Sequence, residues 1–144
     1  KTMTLDKLDQ LDPGFRDVGR EGSEIHLNQY LDAVSERELA GTKLNTFFDN
    51  YDLLLTPTLP ITAFDAGTEV PTGSGMDRWT RWTPFSYPFN LGRHPAASIP
   101  CGLCSNGLPS GLQIVGPMNC DGQVLTASAA YEATNPIRMP SLED

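Results

Sequence analysis

Apolar residues recur at helical spacing through the first third of the chain. Leu27, Tyr30, Leu31, Val34, Leu44, Phe47 and Phe48 fall three, four or seven positions apart, or on neighbouring multiples of that period. This predicts a long helix from about Ser23 to Asp49. Ser23 suits its N-cap and Glu24 its first turn, while Asn50 ends it. A polar stretch, Ser35-Glu36-Arg37-Glu38, interrupts the apolar positions. Gly41 stands inside the pattern, where glycine is about 1 kcal/mol less favourable than alanine. Either a close backbone contact or a kink accounts for it. Upstream, residues 4–20 read as a short helix and a turn, with Asp12-Pro13-Gly14 as the punctuation. Helices are therefore expected over about 4–49.

The pattern then changes period. Residues 51–57, Tyr51-Asp52-Leu53-Leu54-Leu55-Thr56-Pro57, form a short apolar run bounded by proline. That suits a central strand covered on both faces. A loop follows over 58–95, broken by Pro60, Pro71, Pro84, Pro88 and Pro95. Its second half carries Trp79, Trp82, Phe85, Tyr87 and Phe89. So long a loop in a compact domain is either functional or covers something. A short helix is expected around Pro84–Leu91, with the aromatics walling a pocket or facing other protein. Over 96–117, Ala96–Leu103 and Gly111–Pro117 alternate as two strands about the tight-turn signal Ser105-Asn106-Gly107, which predicts a hairpin. Asp121 is expected to cap a last helix over 121–134, with Val124, Leu125, Ser128, Ala129 and Tyr131 on its packed face. Asn135-Pro136 stops it, and the residues beyond are expected to fray. Helices alternating with a buried strand place the chain in the α/β class, as one subdomain over 1–144.

Composition narrows the partners. At 144 residues with 39% hydrophobic content, the chain suffices for one core. A net charge of −8, spread without acidic runs, argues against a nucleic-acid partner, which requires clustered Lys and Arg. No segment approaches the roughly 20 apolar residues of a membrane span, and no signal-peptide pattern opens the chain. Three cysteines suit a reducing compartment better than a disulfide framework, so a cytoplasmic setting is expected. The first residue is Lys1, which leads us to expect that the chain begins inside a longer gene product.

No self-sufficient chemistry emerges. A hydrolase needs a nucleophile, a base and an oxyanion hole. The chain has no Gly-x-Ser-x-Gly elbow. His26 lies among polar helix neighbours and reads as solvated. His94, just before Pro95, is structural or pocket-lining, because no motif sets a serine or cysteine beside it. Cys101-Gly102-Leu103-Cys104 is a C-x-x-C, but Pro100 precedes it and a turn follows. Redox pairs open helices, and zinc sites need a second close pair. Thiol redox is therefore the weakest reading. No metal, no cofactor and no catalytic residue is expected.

Four stretches together resemble the amidase signature family. Phe47–Thr58 (Phe-Phe-Asp-Asn-Tyr-Asp-Leu-Leu-Leu-Thr-Pro-Thr) is similar to that family's late helix-to-strand passage. Pro88-Phe89-Asn90-Leu91, with His94-Pro95-Ala96-Ala97-Ser98-Ile99-Pro100-Cys101-Gly102, resembles its run into a strand. Asn106–Gly116 (Asn-Gly-Leu-Pro-Ser-Gly-Leu-Gln-Ile-Val-Gly) resembles the hairpin that follows, and Leu125–Glu132 the last helix. The resemblance covers nearly the whole chain. It implies the C-terminal portion of the amidase signature fold, a mixed sheet flanked by helices with a long aromatic loop. It also implies carbon–nitrogen bond hydrolysis by a Ser–Ser–Lys triad. Lys1, Lys7 and Lys43 match no triad motif, and Gly73-Ser74-Gly75 lacks the paired serine, so no catalytic residue carries over.

What the resemblance does imply is that this part supplies sheet strands and a pocket wall. Trp82, Phe85, Asn90, Arg93 and His94 are the expected substrate-binding residues. Gly92-Arg93 stands where relatives often have Thr-Gly; Arg93 either meets an anionic or polar substrate or points into solvent. Gln113, mid-strand among apolar residues, is either a structural hydrogen bonder or pocket-lining. The expected partners are the upstream catalytic portion of the same polypeptide and a small amide. The isolated chain is expected to be inactive, and to self-associate through an apolar surface rimmed by Trp79, Trp82 and Phe85. The alternative is a non-catalytic binding or assembly module on the same scaffold.

Overall fold

The computed structural model describes residues 10–136. The start of the expected first helix and the end expected to fray lie outside them. The chain divides into two compact units, Lys1–Glu36 and Arg37–Asp144.

In the first unit, Asp12-Pro13-Gly14 opens a helix, α1 (Pro13–Ser23), where the sequence reading expects a turn. The same three residues suit both roles. Asp12 Oδ1 accepts from the Phe15 N–H at 3.2 Å, and proline fits the first helical position because its missing donor has no partner there. Ser23 is not an N-cap. It closes α1, its hydroxyl donating to the Arg20 carbonyl at 2.6 Å. The long helix α2 (Leu27–Phe48) begins four residues later. There the Gln29 side chain accepts from the His26 N–H at 2.9 Å, which is the returning half of a capping box. The apolar positions read as a packed stripe are open: Phe15, Val18, Ile25, Leu27, Tyr30 and Leu31 each leave half or more of their surface exposed.

The second unit is built on a three-stranded sheet of β1 (Leu54–Pro57), β2 (Ala96–Leu103) and β3 (Pro109–Val115), ordered β1-β3-β2. Where the resemblance implies a mixed sheet, all pairings here are antiparallel. β1 is an edge strand of this sheet, not a central one. Its residues alternate between half-buried and exposed, and Leu55 is 58% exposed. Pro57 suits that place, since proline has no N–H for a second ladder. β3 takes the centre because the Ser105-Asn106-Gly107 turn pins it to β2, with Gly107 N–H bonded to the Cys104 carbonyl at 2.9 Å.

One sheet face is apolar. Ala97, Ile99, Leu112 and Ile114 lie opposite one another in the β2–β3 register. Helix α4 (Asp121–Thr134) packs over them, adding Val124, Ala127 and Tyr131 to the core. Two details of α4 differ from expectation. Cys120 is the N-cap position, and Asp121 stands in the first turn without a capping hydrogen bond from its side chain. There it complements the helix dipole. Leu125 and Ala129 are exposed, because the buried stripe runs through Val124, Ala127, Ser128 and Tyr131.

The 58–95 segment is a folded loop. It contains a 3₁₀ turn (Trp79–Arg81) and the short helix α3 (Tyr87–Gly92). Trp82 donates its indole N–H to the Glu69 carbonyl at 2.9 Å and packs edge-on against Phe64. Arg37, on α2, donates to the Leu91 carbonyl at 3.0 Å and so satisfies the end of α3. Gly41 marks where the two helices approach: a Cβ there would stand 3.8 Å from the Gly92 backbone. Gly92 is more confined still. A Cβ on it would meet His94 Nδ1 at 2.8 Å and Leu44 at 3.0 Å. No helix of the described residues is long and apolar enough to cross a membrane.

Candidate functional site

The register places small polar side chains on the other sheet face. Thr56 opposes Gln113, Ser98 opposes Gln113 from the far side, and Pro100 opposes Gly111. The Thr58 N–H extends the β1 ladder to the Gly111 carbonyl at 3.0 Å. Above this face, Leu59–Phe64 arches back toward the hairpin, where Asn106 donates its amide to the Thr62 hydroxyl at 3.1 Å. Sheet and arch enclose an open groove of about 970 Å³. Leu55, Ile61, Phe64, Trp82, Ile99 and Leu112 give it apolar walls, and no charged residue lines it.

Two hydroxyls meet within the groove. Thr58 Oγ1 and Ser98 Oγ lie 2.7 Å apart. The space exists because residue 111 is glycine: a Cβ there would sit 2.7 Å from Thr58 Oγ1 and 3.0 Å from Ser98 Oγ. Beside them Ser110 donates to the Gly102 carbonyl at 3.2 Å, and Cys101 Sγ lies 3.3 Å from the Ser110 hydroxyl. All three cysteines are free thiols. Cys101 and Cys104 border the groove on a strand running into a turn. Among the described residues no group of three His, Cys, Asp or Glu side chains gathers as a metal site.

The five residues expected from sequence are dispersed. Trp82 lines the groove. Phe85 is half-buried, and its carbonyl accepts from Gln113 Nε2 at 3.1 Å. Asn90 is exposed on α3. Arg93 is exposed at the end of that helix, in the left-handed region at φ 61°. His94 is buried; its ring lies against Phe48, and Nε2 is 3.1 Å from Asn45 Oδ1. Nδ1 is buried without a hydrogen-bond partner. Burial pushes the imidazole below the usual histidine range, and the Gly92 backbone offsets this in part. Gln113 is a structural bonder: Nε2 donates to both Thr56 Oγ1, at 2.9 Å, and the Phe85 carbonyl, tying the loop to the sheet. In the loop, Arg81 bonds Asp77 at 2.9 Å and holds its carboxyl below the usual range, both groups being exposed.

Sequence reasoning missed Thr58, Ser98 and the Leu59–Phe64 arch. Positions 58 and 98 are forty residues apart and share no motif. The available signal was Gly111 within a strand, where a missing side chain marks close approach.

Known proteins match this chain in both sequence and shape. The Amidase family model matches residues 6–125. The A-subunit of glutamyl-tRNA(Gln) amidotransferase from Brevibacillus brevis is 42% identical over 105 residues, covering 73% of this chain and 21% of the relative. Its counterpart from Halothermothrix orenii is 40% identical over 107 residues, with 74% and 22% covered. Among solved structures, a bacterial aryl acylamidase of the amidase signature enzymes superposes with a TM-score of 0.72 at 32% identity, covering 88% of this chain and 27% of that one. The amidotransferase A-subunit from Thermotoga maritima superposes with a TM-score of 0.68 at 31% identity, covering 80% and 26%. The chain spans about a fifth of the length of these curated relatives. By the extent of the model match and by its agreement with solved folds, the chain belongs to the amidase signature family.

Proposed function

We propose that this chain is the pocket-forming and sheet-building part of an amide hydrolase of the Ser–Ser–Lys type. An upstream portion of the same polypeptide supplies the three catalytic residues, and the substrate is a small amide. One observation carries the proposal: no described serine is hydrogen-bonded to a lysine, a histidine or a second serine. Ser98 meets Thr58, Ser110 meets Cys101 and the Gly102 carbonyl, and Ser86 and Ser128 donate to backbone carbonyls. A serine nucleophile requires an adjacent base, so the chemistry is placed outside this chain while the groove stays within it. In this reading Trp82 touches substrate. Phe85, Asn90, Arg93 and His94 flank the wall and hold α3 and its loop in place. A cytoplasmic setting belongs to the same proposal, because three free thiols fit a reducing compartment.

The test treats the pure 144-residue chain with a fluorophosphonate and weighs the intact protein. No adduct is expected. A stoichiometric adduct means that one of its own serines is activated, and overturns the proposal.

A further inference from the structure

We infer that the groove takes the uncharged, apolar half of a small carboxamide, and that the Thr58–Ser98 hydroxyl pair donates a hydrogen bond to its carbonyl oxygen. This rests on the pocket role proposed above and adds to it the class of substrate.

Charge selects the ligand class. Every side chain bordering the groove is neutral, and the walls are aliphatic or aromatic. A carboxylate or ammonium group entering such a site loses water and gains no counter-charge, which costs several kcal/mol. Arg93, which from sequence could have met an anionic substrate, is not among the lining residues. An amide of an amino acid, carrying both charges, is therefore poorly matched to this groove. An alkyl or aryl amide is well matched. The volume of about 970 Å³ lies at the upper end of small-molecule sites and leaves room for a ring and its substituents.

Hydrogens select the functional group. Two hydroxyls carry two hydrogens, and the 2.7 Å contact uses one. Among the described residues neither oxygen has another hydrogen-bond partner. The second hydrogen is therefore uncommitted within the protein and available to an incoming acceptor. It belongs to whichever hydroxyl accepts in the mutual bond, so the pair donates in either orientation. A carboxamide oxygen is a strong neutral acceptor, and the apolar walls accommodate what it is attached to. Gly111 keeps the pair in place, since any side chain there would displace one hydroxyl.

The hydrogen count predicts an unusual mutational pattern. Thr58→Val leaves Ser98 with a free hydrogen, and Ser98→Ala does the same for Thr58. Only the double variant removes the donor. The test titrates the 144-residue chain with acetanilide, following the Trp82 indole and Gly111 amide resonances. Ethylbenzene serves as a ligand without a carbonyl, and 4-acetamidobenzoate as a charged one. Acetanilide is expected to shift both resonances, and the benzoate to bind at least about tenfold more weakly. Each single variant should stay within about threefold of the parent, and T58V/S98A should lose about tenfold for acetanilide and nothing for ethylbenzene. Leu55→Glu, at an exposed wall position, is a second route to the charge requirement should the double variant fail to fold; it should weaken acetanilide binding. The inference is overturned if no ligand shifts these resonances, if the benzoate binds as tightly as acetanilide, or if a folded double variant or L55E leaves acetanilide affinity unchanged. Each of these outcomes is separate from a fluorophosphonate adduct on the pure chain, which tests the underlying proposal alone.

Discussion

Replacing Gln113 should loosen the aromatic loop from the sheet. The side chain is 5% exposed and its amide nitrogen holds two acceptors, Thr56 Oγ1 and the Phe85 carbonyl. Gln113→Leu keeps comparable bulk and removes both hydrogen bonds. Each is worth about 1 kcal/mol net, and a carbonyl stripped of its donor adds about 1–3 kcal/mol. Phe85 is only half-buried, so water recovers part of that, and a total loss of about 2–3 kcal/mol is expected. Urea unfolding followed by tryptophan fluorescence should show the midpoint falling by about 1–2 M, given slopes of about 1–3 kcal/mol per M. Gln113→Glu sharpens the test. Its carboxylate would face the Phe85 carbonyl, so the folded state raises the new group's pKa above the ordinary value of about 4.3. A raised folded-state pKa means the variant is least impaired at acid pH and loses stability as pH climbs through that value. Measured at about pH 4.5 and about pH 7, its deficit relative to the parent should therefore widen. A Q113L variant within about 0.5 kcal/mol of the parent would refute the idea that these two bonds fasten the loop.

Gly92→Ala should cost about 1–3 kcal/mol by overpacking, since its methyl would stand 2.8 Å from His94 Nδ1 and 3.0 Å from Leu44; a thermal melt checks this, and an unchanged Tm counts against it. His94 has a lowered folded-state pKa, so the unfolded chain takes up its proton first. Stability should fall as pH drops below about 6.5, by at most about 1.4 kcal/mol per pH unit, and His94→Gln should flatten that slope in urea titrations from about pH 7 to about 5.5. The exposed apolar residues of α1 and α2 should drive association at micromolar concentration. Sedimentation should show the parent heavier than a Leu27→Lys/Leu31→Lys variant, and a clean parent monomer would contradict this. Iodoacetamide should label exposed Cys101 ahead of half-buried Cys104 and Cys120, as peptide mapping over time would reveal.

The parts of the fold legible in the sequence were those set by neighbours along the chain. Asn106-Gly107 fixed the hairpin because a tight turn decides pairing locally. The helical period foretold α2 for the same reason. Asp12-Pro13-Gly14 misled because an N-cap followed by proline and a turn share the same residue preferences. β1 misled differently: its apolar run is real, but burial on two faces depends on what lies beside it, and Leu55 meets open space here. Leu125 and the Leu27–Leu31 stripe teach the same lesson, since hydrophobic spacing marks a face without naming its cover. The groove was the least visible feature. Gly111 and Gln113 drew notice as strand residues with unusual demands, yet their partners Thr58, Ser98 and Thr56 lie far along the chain and are ordinary polar residues by type.

The ladder geometry settles how this sheet meets the outside. Thr58 donates its N–H to Gly111, so Thr56 and Leu54 also face β3, and Pro57 turns its nitrogen outward. Gly116 bonds the Pro95 carbonyl, so Ala97 and Ile99 face β3, and Pro100 likewise turns outward. Each rim thus has a proline at a position where a templating strand would look for a donor. Amyloid-like stacking needs an unbroken row of donors and acceptors, and neither rim offers one. Assemblies of this chain should accordingly be amorphous or discrete rather than fibrillar, held by side chains across α1 and α2, and should stain weakly with cross-β dyes.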